Sequence, residues 1–518
     1  MTTFTAHDPR TGEPLAPVFV EDDAAAVDAA VAAAVHAAPA LAALDLVARA
    51  AVLDAVADAL DADAAALVAR ADLETALGEV RLTGELARTT GQLRAFAGVV
   101  REGAQLGAVI DHADPAATPP RPDLRRTKVP LGPVAVFGAS NFPRAFGVAG
   151  GDTASALAAG CPVVAKAHPS NAGTSALVAV AVARGLAAAG APTGTFTLVQ
   201  GAGHAVGAAL VTHPDVAAVG FTGSLRGGRA LADLAAAREV PIPVFAEMGS
   251  HNPVWITPAA LAARGPAIAE ALAASATLGS GQFCTRPSVV FVPSDAASAA
   301  HADAFVATLA DAVARAAVGP LLDAAILGRF TSRRAELARL DGIEDVTGAD
   351  ADAPAGPDVA EPAPSVLATD LATWRAEPLV REECFGPLII VVRCATDELV
   401  ATVATVPGGL TASVWSEAEA ADRVLAAELV TAASGRVGRV LHDGVPTGVT
   451  VGWAQQHGGP YPATTAPSTT SVGMHAVDRF LRPVAYQDMP EELLPVWLHD
   501  GDPWRIPRRV DGRLELPR

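Results

Sequence analysis

Apolar positions follow two different rules along this chain. From residue 22 to about residue 101 they recur at helical spacing: Val27, Val31 and Val35 stand four apart, as do Val52, Val56 and Leu60. The stretch therefore predicts Ala-rich helices, each burying one stripe. Pro39 is expected to break the first, because a proline inside a helix removes an N–H from the ladder. A Pro-rich stretch at 114–123 then separates these helices from a different grammar. From Pro133 onward, short apolar runs bounded by Gly and Pro (VAVFG, CPVVAK, FTLVQG, AVGFTGS) alternate with helical patterns, the last reaching Arg238. Strands alternating with crossover helices predict a parallel sheet covered on both faces. A second such region runs from Pro253 to about Trp415, with VVFVP and LIIVV as strands and 259–276 as a helix. Residues 348–365 have the composition of a surface excursion. The Gly, Pro and Thr cluster at 458–473 predicts a long ordered loop.

Charge narrows the partners. The 518 residues carry 37 basic and 56 acidic side chains, a net charge of −19, whereas nucleic acid or an anionic membrane surface needs a basic face. Any anionic ligand must instead find local cations. No apolar run reaches the ~18–20 residues of a membrane span, and the polar start MTTFTAHDPRTGEPL is no secretory signal. Four cysteines without a C-x-x-C pair suggest a reducing compartment, so a cytoplasmic protein is expected. The chain has only two lysines, Lys128 and Lys166, and three asparagines, Asn141, Asn171 and Asn252. Where coding so favours Arg and Asp, a retained ammonium or amide becomes a better functional candidate, which points to Lys166 and Asn141.

Several segments offer chemistry. Cys284 follows an apolar helix and a Gly-Ser-Gly turn. It is either a small buried hydrophobe or a thiolate brought to an open site to attack a carbonyl. Glu247, ending the strand before Met248-Gly249-Ser250, is either solvated or a general base at the carboxyl edge of a parallel sheet. Asn141 leaves another strand and either fixes a turn or donates, with the Cys284 N–H, to a developing oxyanion. The turn Phe221-Thr222-Gly223-Ser224, followed by Gly228, can present amides to a diphosphate at a helix N-terminus. Phosphate-loop, nucleophile-elbow and metal-ligand spacings are missing from the sequence, so no metal is expected.

Taken together and in this order, Asn141-Phe142-Pro143, Lys166, Phe221 to Ser224, Glu247-Met248-Gly249, Gly281 to Cys284 and Glu383 to Pro387 resemble the aldehyde dehydrogenase superfamily over nearly the whole chain. The resemblance implies an α/β fold with a Rossmann-like cofactor domain (1–108 and 132–248), an α/β catalytic domain (249–477) and a small bridging or oligomerisation β segment (109–131 and 478–518). It implies that Cys284 is the nucleophile, that Asn141 and the Cys284 amide hold the oxyanion, and that Glu247 activates the water that releases a free acid. Lys166 and Ser170 would reach the adenosine ribose. Ser224 with Gly223 and Gly228 would meet the diphosphate, Met248 would lie beside the cofactor, and Glu383 would hold the nicotinamide ribose with Phe385 packed nearby. Many relatives place a glutamate three residues after the lysine, where this chain has Pro169; with Ser170 and His168 beside it, NADP is favoured over NAD. Three runs, FGASNFPRAFG, GSGQFCTRP and PYPATTAPSTTSVG, are similar to the subgroup acting on 2-oxoglutarate semialdehyde (2,5-dioxopentanoate). The alternative is a dehydrogenase of neutral medium or long-chain aldehydes, expected if the tunnel past Phe142, Ala145, Phe146 and Phe283 is apolar throughout. For an anionic substrate, Arg144 and Arg286 are the nearest cations in sequence. A homo-oligomer, dimer or tetramer, is also implied.

Overall fold

The computed structural model describes residues 2–348 and 361–517. Most of the predicted excursion at 348–365 lies outside the described residues. The first alternating region forms a five-stranded sheet from Val134–Phe137, Val163–Lys166, Phe196–Val199, Ala218–Thr222 and Val244–Glu247, all parallel. In space the order is 196–199, 163–166, 134–137, 218–222, 244–247. The chain winds outward from the central strand 134–137 in one direction and then restarts beside it, creating the crevice in which open α/β sheets bind ligands. Lys166, Thr222 and Glu247 occupy the carboxyl ends of their strands and so border that edge.

The second region makes a seven-stranded sheet in the order 344–345, 365–370, 388–394, 289–293, 254–256, 409–415, 437–442, parallel except for the short first strand. Both faces of each sheet are apolar and covered. Val163 and Ala165 face one cluster while Val164 and Ala135 face another; likewise Val289 and Phe291 alternate with Val290 and Val292. That alternation explains why these strands read as unbroken apolar runs. A third sheet joins Leu481–Gln487, Leu124–Pro130, Ala108–Asp111, Arg508–Val510 and Arg513–Glu515. It draws together two segments nearly 400 residues apart in sequence, and its last strand is exposed along its length.

Pro39 does not break its helix. Ala24–Ala42 runs through it: Pro39 gives up one N–H bond to the preceding turn, but it lies so near the end that the helix closes directly after it, its carbonyl accepting from Ala43 N–H at 3.0 Å. The expectation of no span-length apolar run also needs correction. Ala24–Ala42 and Pro169–Ala188 are long and apolar enough by length and composition. Alanine inflates their hydropathy, yet both present buried stripes to the protein interior, Val27, Val31 and Leu41 in one and Val178, Val182 and Leu186 in the other.

Candidate active site

Cys284 is positioned by a tight reversal after the helix Pro258–Thr277. Gly279, Ser280 and Gly281 all have left-handed backbone, with φ of +56°, +58° and +70°. Gly281 has a second reason to lack a side chain: a Cβ there would stand 2.4 Å from the Gly386 carbonyl carbon. The loops carrying Cys284 and Glu383 thus touch backbone to backbone. Asn252, itself at φ +48°, donates its amide to the carbonyls of Cys284 and Arg286, both at 2.8 Å. Asn141 donates to the Gln282 carbonyl at 2.9 Å, so its amide lies against the loop that presents the thiol.

Glu247 ends the strand Val244–Glu247 and is 3% exposed. The predicted long loop does not wander; it tracks along this strand end, with Met248 N–H donating to Ala463 and Thr465 N–H to Ala246. It delivers two groups that sequence reasoning missed. Ser471 donates its hydroxyl to Glu247 Oε2, and the fully buried His457 sets Nε2 2.9 Å from Glu247 Oε1 and 3.7 Å from Cys284 Sγ. The Oε1 contact is a close ion-pair distance without the alignment of a hydrogen bond. Glu247, Cys284 and His457 bring one donor atom each within 4.8 Å of one another. At that spacing they can pass a proton, or hold a soft divalent ion, which the sequence spacing alone did not suggest. The only sequence signal for His457 was its place directly before Gly458-Gly459-Pro460.

The electrostatics of the cluster oppose a free thiolate. Burial, then the charges of Glu247 and Glu383, push the Cys284 thiol well above its ordinary value, against a smaller opposing effect of Arg88. Burial also pushes the Glu247 carboxyl up, but His457, Ser471 and Arg479 outweigh it and hold it below its ordinary value. Glu383 is raised to about 7 by burial, partly offset by Arg286 and the Ser250 N–H. It folds over Gly249, where a Cβ would meet its Oε2 at 1.7 Å, and Phe385 packs on the core beneath the second sheet.

The cofactor candidates line the crevice of the first sheet. Ser224 caps the helix Leu225–Ala236, accepting from Gly227 N–H at 3.2 Å, and with Gly223 stands exposed at its N-terminus. Gly228 packs so tightly on Met248 that a Cβ would lie 2.6 Å from its sulfur. Lys166 donates to the Gly201 carbonyl at 2.6 Å and is lowered to about 8 by burial, with Glu21 opposing. Ser170 donates to Asp323 Oδ2 at 2.8 Å, and His168 accepts from the Ser170 N–H. Two carboxylates distant in sequence, Glu21 and Asp323, therefore stand where Pro169 had suggested none.

Phe142, Phe146 and Phe283 do come together as an aromatic wall, Phe142 lying 5.5 Å from Phe146 and 5.0 Å from Phe283 between ring centroids. The wall is not apolar throughout, since Arg81 stacks on Phe142 and Phe283 and Arg88 on Phe146. Arg144 and Arg286 are corrected: each is 2% exposed. Arg286 donates to the carbonyls of Cys384 and Leu388, and Arg144 to Leu82. Arg286 ties backbone together inside the protein, and Arg144 is held there through one nitrogen, its Nε and Nη2 buried without a partner.

A nucleophile loop and a carboxylate at the mouth of a dinucleotide-type sheet agree with the family comparison, in which residues 1–448 match the aldehyde dehydrogenase family. The chain belongs to that family of NAD(P)-dependent, aldehyde-oxidising enzymes. It is 49% identical over 519 residues to alpha-ketoglutaric semialdehyde dehydrogenase 2 of Azospirillum brasilense, covering 99% of this chain and 96% of that one. It is 43% identical to alpha-ketoglutaric semialdehyde dehydrogenase of Acinetobacter baylyi, covering 90% and 87%. Among solved structures, lactaldehyde dehydrogenase from Escherichia coli shares the fold, with a TM-score of 0.80 at 23% identity over 94% of this chain and 96% of that one. An aldehyde dehydrogenase C mutant from Pseudomonas syringae, complexed with NAD+ and octanal, does so with a TM-score of 0.77 at 22% identity over 95% and 94%.

Proposed function

We propose that this enzyme oxidises 2-oxoglutarate semialdehyde to 2-oxoglutarate, with Cys284 as nucleophile and Glu247 as the base for hydrolysis. The contact of His457 with both groups carries the mechanism. The raised Cys284 thiol passes its proton to His457 Nε2 as sulfur attacks the aldehyde carbon, forming a thiohemiacetal whose oxygen accepts from Asn141 and the Cys284 N–H. A bound nicotinamide would supply the hydride acceptor for that carbon, and Cys284 would then carry the acyl group as a thioester. Glu247 then takes a proton from water, the water oxygen adds to the thioester carbon, and the carbon–sulfur bond breaks to give the free acid, His457 returning its proton to the leaving sulfur and Glu247 losing its own to solvent. The exposed amides at the start of the helix Leu225–Ala236, with Ser224, fit a diphosphate, and Lys166 and Glu383 stand at strand and loop ends suited to the two riboses.

The two named relatives and the cations among the aromatic rings favour the anionic substrate over a neutral long-chain aldehyde. For the cofactor, Pro169, Ser170 and His168 leave NADP favoured, while Asp323 and Glu21 keep the preference modest and NAD usable. Four free thiols suit a cytoplasmic setting, and the exposed edge strand Arg513–Glu515 suits a homo-oligomer, dimer or tetramer. The test is initial rates for 2,5-dioxopentanoate and hexanal, each with NAD and with NADP. The expected result is a kcat/KM advantage for the dioxo acid of about tenfold or more. Equal or better use of hexanal would transfer the assignment to general aldehyde oxidation and leave the Cys284 chemistry standing.

A further inference from the structure

Arg88 sits on the helix Glu79–Glu102, with its guanidinium carbon 5.0 Å from the centroid of the Phe146 ring. Its Nε and Nη2 are buried and have no hydrogen-bond partner among the described residues. The carboxylates that act on it are Glu85 on its own helix and Glu247 across from it, and a Cys284 thiolate would add to them. Glu85 is half engaged, its Oε1 accepting from the backbone N–H groups of Arg144 and Ala145 at 2.8 and 3.0 Å, and its buried Oε2 makes no hydrogen bond to Arg88. Arg81 is clamped between two rings and donates to the Asn141 carbonyl, and Arg286 holds backbone carbonyls. Arg144 also has an unpartnered Nε and Nη2, but it is only 2% exposed and its Nη1 is held by the Leu82 carbonyl; Arg88 is the one of the four that borders open space. A buried guanidinium with two idle donors is costly unless something else satisfies it.

The side chain borders an open groove of about 340 Å³, lined also by Gln92 and Thr450 with the apolar Ala95, Val449 and Val451. The same Phe146 ring that carries Arg88 lies 6.3 Å from the His457 ring, and His457 Nε2 is 3.7 Å from Cys284 Sγ. One aromatic ring therefore separates an unpaired cation from the nucleophile and its imidazole.

We propose that Arg88 binds the substrate carboxylate, holding it in a two-point contact while the aldehyde carbon rests on Cys284 Sγ. The inference rests on the proposed substrate, whose carboxylate and aldehyde carbons are four bonds apart. Idle Nε and Nη2 donors on one edge of a guanidinium match two carboxylate oxygens. Gln92 and Thr450 supply the polar groups for the 2-oxo oxygen. The position also explains selectivity for an anion in a chain of net charge −19, because the cation that the substrate requires is inside the pocket rather than spread over the surface.

The test compares 2,5-dioxopentanoate with pentanal, a neutral aldehyde of the same length, in the intact enzyme and in Arg88→Met. The kcat/KM ratio of the two substrates is read, which cancels any effect of Arg88 on the thiol that both substrates share. The expected result is a fall in that ratio of about 10- to 100-fold, mostly through KM for the dioxo acid. Inhibition by glutarate, a dicarboxylate without an aldehyde, is expected to weaken in parallel. Arg88→Gln carries the same comparison if the methionine variant does not fold. An unchanged ratio in an enzyme that itself prefers the dioxo acid overturns the role of Arg88 alone. No preference in the unmodified enzyme overturns the substrate reading beneath it.

Discussion

Cys284 is poorly placed to ionise unaided, because burial and two neighbouring carboxylates all favour its neutral form. A nucleophile held as a thiol needs a proton acceptor at the moment of attack, and His457 at 3.7 Å is the nearest. Once His457 holds that proton, it joins Ser471 and Arg479 in keeping Glu247 ionised, which suits the proposed later step. Glu247→Gln is therefore expected to keep a pre-steady-state burst of reduced nicotinamide while steady turnover slows by about 10²- to 10⁴-fold. Removing that negative neighbour also makes the thiol easier to ionise, so the pH midpoint of the burst should move down. Cys284→Ser should abolish burst and turnover alike. Stopped-flow absorbance separates these outcomes, and a Glu247→Gln enzyme without a burst would move its role ahead of hydride transfer.

At the scale of elements, the site is a meeting of loops, and one contact between them makes stability depend on pH. Glu383 is buried over Gly249 with its carboxyl raised to about 7 from an ordinary 4.5. A folded state that holds this proton more tightly than the unfolded chain gains stability that is fully present below about 4.5 and lost as pH rises through about 7. Glu383→Gln removes the titration, so the Tm of the variant should gain on that of the unmodified enzyme as pH rises across that window. A gap that stays constant from acid to neutral pH in differential scanning fluorimetry would remove the linkage. The strands and their parallel order were legible in the sequence because a sheet buried on both faces is written as unbroken apolar runs between glycines. The loops were legible only where they carry a short local motif, as at Cys284 and Glu247. His457 and Ser471 belong to a segment with almost no regular structure, whose register is set by pairing with residues 246–248, some 200 positions away. Arg88 was hidden differently: on a helix, an arginine facing a cavity and one facing solvent are spelled alike. The scarcity of asparagine proved more informative than its use for Asn141 alone suggested. Asn171 reaches the Ala139 carbonyl and Asn252 the carbonyls of Cys284 and Arg286, so each retained amide ties a loop of the site to its neighbour.

Across the whole molecule, no single sheet owns the chemistry. Glu247 and Lys166 come from the edge of the first sheet, Cys284 and Glu383 from loops around the second, and His457 and Ser471 from the chain as it returns toward the third. Such a site is assembled only when all three are docked. The scarcity of lysine has a practical consequence on this scale. Of the two ammonium side chains in 518 residues, Lys128 is paired with Asp478 at 2.7 Å, whereas Lys166, lowered to about 8, is the better nucleophile near neutral pH. An acylating dye applied there tells the two lysines apart, and peptide mass mapping should find Lys166 labelled ahead of Lys128 and shielded when dinucleotide is bound. A labelling pattern confined to Lys128 and the amino terminus would count against this. Shielding of that one side chain would serve as a gauge of cofactor occupancy, readable without turnover and without engineering a single residue.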